Sequence, residues 1–326
     1  MIVVTGGTGY IGSHTVVRLL EEGYDVTVLD DLSNSSIEVL DRIQTITGKR
    51  PDFIKVDVSD ISALQSAFQS IGSEAQAVIH FAAKKAVGES VEKPLLYYRN
   101  NVIGLINLLV QMQQRGIQNL VFSSSCTVYG QPDMSPVTEQ TPRKPAESPY
   151  GTTKSMSEDI IRDVCKGSLR AISLRYFNPI GAHSSGLIGE LPVGIPNNLV
   201  PYVTQTAAGI RKELTIHGND YPTPDGTCIR DYIHVVDLAE AHIKALQRLQ
   251  KASADVNYEV FNVGTGNGTS VLEVVKTFEK ATGVKVNYRI GPRRQGDITQ
   301  VFADTSLANR KLNWAAMHSL KDALAS

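Results

Sequence analysis

Tyr150 and Lys154 stand four residues apart in SPYGTTK, directly after Pro149. Proline at a helix start, followed by this spacing, puts both side chains on one helix face. A free tyrosine has a pKa near 10, too high for a good base at neutral pH. An ammonium about 4 Å away, at an effective dielectric near 20, favours the phenolate by about 4 kcal/mol, roughly three pKa units. Tyr150 would then accept and return a hydroxyl proton near pH 7. Alone, the pattern is common, and a packed tyrosine beside a surface lysine explains it equally well.

Two further stretches give the pair a context. FSSSCTVYG ends a predicted parallel strand, and the C-terminal ends of such strands face the ligand crevice. Ser125 is the best-placed hydroxyl there to bind a reacting oxygen, ahead of Ser123 and Ser124. TGGTGYIG, residues 5–12, follows the apolar start MIVV and opens a helix. Gly6, Gly7, Gly9 and Gly12 let the backbone turn tightly against a pyrophosphate, whose charge meets the free N–H groups of the helix start. Asp30 closes the second strand about twenty residues on, where a carboxylate binds a ribose 2′-OH and repels a 2′-phosphate. The next residue is Asp31 and not arginine, so NAD is favoured over NADP. Asp57 closes the predicted third strand and reaches for the adenine, with helix capping by Asp57 or Ser59 as the alternative.

The elements that must hold these residues are legible as an alternation. IVVT, DVTVLD, DFIKVDV, AVIHFAA, NLVFSSS and RAISLRYF are short apolar runs separated by helix-length segments. Strands apolar on both faces indicate a parallel sheet covered on both sides. The expected fold is α/β: a Rossmann-type, doubly wound parallel sheet with a smaller α/β substrate-binding lobe. Residues 1–177 are assigned to the dinucleotide domain, with a return near 231–263 where YEVFNVG rejoins the sheet. Residues 178–326, rich in glycine, proline and polar loops, form mainly the second lobe. With 42% hydrophobic and 20% charged residues among 326, the chain can bury a substantial core. A net charge of −1 argues against a dedicated nucleic-acid or anionic-membrane binder. Cys126, Cys165 and Cys228 show neither a disulfide framework nor zinc spacing, and no metal-ligand spacing links His14, His80 and His234. No charged-then-apolar leader precedes the glycine turn and no apolar run spans a membrane, so a cytoplasmic protein is expected.

With these residues in place, the sequence resembles the extended short-chain dehydrogenase/reductase family, in its UDP-hexose 4-epimerase branch. The likeness extends through HFAAKKAVGESVEKPLLYYRNNV, SSSCTVYG, SPYGTTK, LRYFNPIGAH, GIPNNLVPY, IHGNDYPTPDGTCIRDYIHVVDLA, FNVGTGNGTSVLEVV and PRRQGD, nearly the whole chain. It implies that Ser125, Tyr150 and Lys154 are catalytic. Tyr150 would take the proton of the sugar 4-OH while NAD takes a hydride from C4. The planar 4-keto sugar would turn over and receive the hydride on its other face. For NAD the resemblance adds Tyr10, Ile11, Asn34, Ser35, Val58, Phe81, Lys85, Asn100, Ser123 and Phe177 to Gly6, Gly9, Gly12, Asp30 and Asp57. For the UDP-sugar it points to Asn178, Asn198, Ile216, His217, Arg230, Tyr232, Arg294, Asp297 and Val301. Arginines suit a diphosphate and asparagines suit uracil and hydroxyls.

Three departures stand out. Lys84 precedes Lys85 where relatives often carry an apolar residue. Val301 stands where a tyrosine accompanies strict UDP-glucose and UDP-galactose selectivity, so UDP-GlcNAc and UDP-GalNAc are expected to be interconverted too. The chain stops at LKDALAS, shorter than the resemblance suggests. Rival readings are a nucleotide-sugar 4,6-dehydratase, a UDP-glucuronate decarboxylase, and an NAD-binding sensor without chemistry. Dehydratases place an Asp-Glu pair after the strand-end hydroxyl, where this chain has Cys126 and Thr127. A homodimer through LLYYRNNVIGLINLLVQMQQ and TTKSMSEDIIRDV is implied by the resemblance.

Overall fold

A computed structural model describes residues 1–251, 257–294 and 297–326. Its centre is a seven-stranded parallel sheet. Six strands come from residues 1–177: β1 (Ile2–Thr5), β2 (Val26–Asp30), β3 (Asp52–Lys55), β4 (Ala77–His80), β5 (Asn119–Ser125) and β6 (Arg170–Tyr176). The seventh, Tyr258–Val263, lies at the edge beside β6, giving the order seventh-β6-β5-β4-β1-β2-β3. β1 pairs with β2 on one side and β4 on the other, so the chain reverses its winding there. A ligand crevice opens at such a switch point, beyond the carboxyl ends of the strands.

The strand alternation builds two apolar layers. Ile2, Val4, Val28, Ile79, Val121 and Ile172 face one core with the helices Tyr10–Glu21 and Val235–Lys251. Val3, Leu29, Val78, Leu120, Phe122 and Ala171 face the other, under the helices Ile61–Ile71, Gly104–Gln114 and Pro149–Val164. Successive side chains point to opposite faces, so a sheet with two covered faces requires apolar residues at every position.

The second lobe is assembled from short strands around Val203, Leu214, Ile216, Tyr232, Val274, Val275 and Phe278. Leu214–His217 pairs in parallel with Tyr288–Gly291, and Asn178–Ile180 with Tyr232–His234. Ile229–Arg230 lies between Thr269–Ser270 and Gln300–Val301. Ala308, Leu312 and Trp314 cross back to the first core, so residues late in the chain close the helical layer over the sheet. Among the described residues no helix is long and apolar enough to cross a membrane.

Candidate active site

β1 delivers the chain into Gly6, whose φ of +72° favours glycine, and a Cβ there would stand 2.7 Å from the Ala82 nitrogen. A Cβ on Gly12 would run into the Gly6 carbonyl oxygen. Gly9 precedes the helix Tyr10–Glu21, and no side chain caps it, which leaves the leading N–H groups to an anion. Asp30, last in β2 and buried, accepts from the Thr8 nitrogen (3.2 Å), the Leu32 nitrogen (2.9 Å) and the Ser35 hydroxyl (3.2 Å). A carboxylate accepts about four bonds, so capacity remains for a ribose diol. Glycine cradle and buried carboxylate fit the pyrophosphate and adenosine ribose of a dinucleotide.

Other residues expected at the dinucleotide line the same edge. Tyr10 donates to the Gly181 carbonyl at 2.5 Å, and burial raises its phenol pKa. Ile11 packs against the first core, and Asn34 lies exposed on the loop before Ser35. Val58 is buried beneath Gly104, and Phe81 packs on His242 at 4.7 Å. Asn100 sits in a π-helical turn, Tyr98–Ile103, a form common at functional sites. Its Oδ1 and that of Asn101 both accept from the Lys84 nitrogen, at 3.1 and 2.9 Å. Phe177 is buried with Val128, Tyr129 and Val301.

Asp57 departs from expectation. β3 closes at Lys55, and the cap of the helix Ile61–Ile71 is Asp60, which accepts from the Ser62 and Ala63 nitrogens at 3.0 Å each. Asp57 instead turns the chain by accepting from the Ser59 nitrogen at 2.8 Å. Asp60 wins because its short side chain reaches the second and third N–H groups of the helix.

At the carboxyl end of β5, Ser123, Ser124 and Ser125 divide three ways. Ser124 donates to Glu158 Oε1 at 2.6 Å and belongs to the interior. The Ser123 carbonyl accepts from Lys154 Nζ at 2.6 Å, and its hydroxyl pairs with the Tyr176 hydroxyl. Ser125 lies at the crevice on the Tyr150 side, its hydroxyl accepting from the Thr127 nitrogen at 3.2 Å. Ser148 caps the following helix by accepting from the Gly151 nitrogen at 3.2 Å, with Pro149 in the first turn, and this cap points Tyr150 and Lys154 back at β5.

The electrostatics correct one expectation. Burial pushes the Tyr150 phenol up to about 12, and the Ser125 hydrogen bond pulls it only partly back. Burial pushes Lys154 down to about 7, with Glu158 opposing. Lys154 Nζ lies 5.8 Å from the centre of the Tyr150 ring and 4.9 Å from that of Phe122. The anticipated lysine-driven fall in the Tyr150 pKa is absent because desolvation penalises both charged forms more than their mutual attraction favours them. His80, buried beside Lys154, is held neutral at about 3.

The residues expected to meet the UDP-sugar gather less uniformly. Asn178 and Tyr232 are register partners, as are Arg230 and Val301. Asp297 joins Arg294 (2.7 Å) and Arg230 (3.8 Å) into one charge cluster. Gln295 and Gly296 of PRRQGD lie outside the described residues. His217 is exposed, with Nδ1 directed at the Pro292 carbonyl at 3.3 Å. Ile216 does not present its side chain to the crevice; it is packed in the core of the second lobe. Asn198 precedes the helix Leu199–Ala207 without capping it, and donates instead to Glu190 Oε1 at 2.7 Å.

Sequence reasoning missed what lies beneath. Glu158 and Arg175 form a buried bidentate pair, Oε1 to Nε at 2.8 Å and Oε2 to Nη2 at 2.6 Å. Arg175 continues to the Tyr129 hydroxyl at 3.0 Å, which donates to Asn262 at 2.6 Å. Buried Asp231 accepts from Thr265, Gly266 and Ala303, tying three loops together. Only the position of Glu158, one turn beyond Lys154 on the buried face, signals this layer in the sequence.

Comparison with known proteins is decisive about family. A sequence profile described as GDP-mannose 4,6 dehydratase matches residues 3–326. The Bacillus subtilis UDP-glucose 4-epimerase is 54% identical over 324 residues, covering 98% of this chain and 94% of its own. The chain belongs to the UDP-glucose 4-epimerase family. An Arabidopsis thaliana UDP-glucose 4-epimerase is 53% identical over 98% of this chain and 92% of its own. Among solved structures, the Stenotrophomonas maltophila UDP-glucose-4-epimerase, with bound NAD and formylated UDP-arabinopyranose, superposes with a TM-score of 0.95. It is 49% identical, covering 99% of this chain and 95% of that one. The Bifidobacterium longum UDP-glucose 4-epimerase in complex with NAD+ and UDP gives 0.95 at 47% identity, covering 100% and 96%. Membership of the UDP-glucose 4-epimerase family and the parallel seven-stranded fold therefore agree with the reading of the sequence.

Proposed function

We propose that this chain interconverts UDP-glucose and UDP-galactose by inversion at C4. The observation that carries the reading is the convergence of Ser125, Tyr150 and Lys154 on the crevice edge of the sheet, beside the glycine turn and Asp30, in a chain of this family. NAD, when bound, accepts a hydride from the sugar carbon and returns it. Gly6, Gly9 and Gly12, the first turn at Tyr10 and Ile11, and Asp30 would hold it.

The chain's own residues handle the proton and the nucleotide. Tyr150 Oη takes the proton of the sugar hydroxyl and gives it back, while the Ser125 hydroxyl donates to the same oxygen. Lys154, fixed on the Ser123 carbonyl, holds the helix that carries Tyr150 against the end of β5 and so positions the phenol. Arg230 and Arg294 suit the diphosphate, and Asn178 and Asn198 suit uracil and hydroxyls. A grip confined to the nucleotide leaves the planar keto sugar free to turn over.

Elimination of water is disfavoured by the residues that follow Ser125. Burial pushes the Cys126 thiol up to about 12, and Thr127 has no acidic proton, so neither serves as an acid at neutral pH. Val301, a small residue at the register position facing Arg230, supports acceptance of N-acetylated UDP-hexoses. A homodimer is supported by exposed Val91, Leu95, Ile103, Ile106 and Val110 along 87–114 and Met156 on the helix Pro149–Val164.

The test is incubation with UDP-galactose and no added NAD. UDP-glucose is the expected product; a 4-keto-6-deoxy sugar would favour the dehydratase, and no conversion would overturn the assignment.

A further inference from the structure

Lys85 and Asn198 come from different halves of the chain and from different motifs, one expected at the dinucleotide and one at the sugar nucleotide. Both donate to the same atom. Lys85 Nζ lies 2.9 Å, and Asn198 Nδ2 2.7 Å, from Glu190 Oε1. The Glu190 side chain is only 11% exposed, whereas that of Lys85 is 47% exposed. An almost buried carboxylate thus reaches out to anchor a long, otherwise solvent-exposed cation.

The donor count decides what the anchor is for. A lysine ammonium has three N–H donors and a carboxamide has two, so each partner uses one on Glu190 and keeps the rest. Charge neutralisation alone would not require Asn198. Holding a free lysine in one rotamer costs side-chain entropy, which the ion pair meets before any ligand arrives. Glu190 itself is carried on a segment tied to the first lobe at two other points: Tyr10 to the Gly181 carbonyl at 2.5 Å, and Arg42 to the Leu187 carbonyl at 3.3 Å. The segment that carries the carboxylate is therefore fixed to the first lobe.

We propose that Glu190 is a positioning residue of the sugar-nucleotide site: one carboxylate oxygen holds Lys85 and Asn198 together across the mouth of the crevice, so that their remaining donors face an anionic nucleoside-diphosphate sugar. This rests on the reading of Asn198 as a sugar-nucleotide contact, and it moves Lys85, expected at the dinucleotide, to the same site through the carboxylate oxygen that the two share. Glu190 touches neither substrate nor cofactor and acts through its two partners.

The experiment uses the full-length holoenzyme with UDP-galactose as substrate and UDP as the binding probe. Glu190→Ala is expected to raise KM for UDP-galactose and Kd for UDP about tenfold, the size of one ordered charge-assisted bond, with kcat within twofold. Glu190→Gln, whose amide oxygen still accepts, is expected to recover most of the loss. In a Lys85→Met/Asn198→Ala background, Glu190→Ala is expected to change KM by less than twofold, whereas a role in loop folding would cost the same in both backgrounds. An unchanged or lower KM for Glu190→Ala, or an equal loss in the double-substituted background, overturns the proposal. If Lys85→Met and Asn198→Ala themselves leave KM and Kd unchanged, the reading of those two residues as ligand contacts fails instead, and the proposal with it.

Discussion

Lys154 directs its ammonium at the main-chain carbonyl of Ser123, 2.6 Å away, while the centre of the Tyr150 ring lies 5.8 Å from it. One bond thereby joins the helix Pro149–Val164 to the end of β5 and sets the distance between the residues proposed for proton transfer. Because burial keeps Lys154 near pH 7, its charge depends on what shares the crevice with it.

Removing the phenol hydroxyl tests the proton assignment directly. Tyr150→Phe is expected to lower turnover of UDP-galactose by about a thousandfold, within the range of a lost general base, while NAD stays bound. Conversion is read by product analysis and NAD by the nucleotide released on denaturation. Near-normal turnover would refute the role of Tyr150.

Buried histidines set the acid limit of the fold. His242 lies between Phe81 and Tyr176, its Nδ1 on the Leu238 carbonyl at 2.8 Å, and burial holds it at about 4. Its folded pKa is below the unfolded value near 6.5, so the unfolded chain binds the extra proton first and stability falls from pH 6.5 towards 4. One such residue contributes about 3 kcal/mol of that loss. His242→Phe should flatten the fall of melting temperature across this window; an unchanged slope would show that His242 does not titrate with unfolding.

The Glu158–Arg175 pair should be costly to halve and cheap to replace. Arg175→Met leaves a carboxylate that also accepts from Ser124 with only the more distant Arg143 at 3.6 Å, and a loss of about 3 kcal/mol is expected in urea unfolding. Glu158→Leu/Arg175→Met removes both charges and should recover most of it. A double variant as unstable as the single would mean that the pair is not what holds this layer.

Val301 is expected to govern which sugars enter. The unaltered chain should turn over UDP-GalNAc, and Val301→Tyr should depress that activity at least tenfold more than activity on UDP-galactose, as a bulky ring excludes an acetamido group. Since Val301 is buried with Val128 and Phe177, melting temperatures check that the larger side chain is accommodated. Equal losses on both substrates would remove Val301 from the specificity argument.

The parallel sheet and the glycine turn were legible because each has a local cause. Ile2 to Val4 alternate between two cores that both need apolar side chains, and Gly6 needs a positive φ. Tyr150 and Lys154 are legible from their spacing after Pro149 together with FSSSCTVYG and the glycine turn. Their titration is not, because a through-space estimate counts the neighbouring charge and misses the water stripped from both groups. The partners of Glu190 were equally hidden: Lys85 and Asn198 are more than a hundred residues apart in sequence and meet only through a loop with no periodicity. Ile216 differs in kind: its side chain belongs to the core of the second lobe, which leaves only its main chain to meet a ligand.

The strand Tyr258–Val263 completes the sheet from far down the chain. During synthesis, β6 therefore waits with one edge bare while some eighty more residues are made (Tyr176 to Tyr258), and its Ile172 and Leu174 stay partly uncovered. Open edges of this kind recruit other strands. A truncated first half would accordingly be a sticky intermediate rather than a free-standing cofactor module, and the cell has good reason to make this chain without pausing before residue 263.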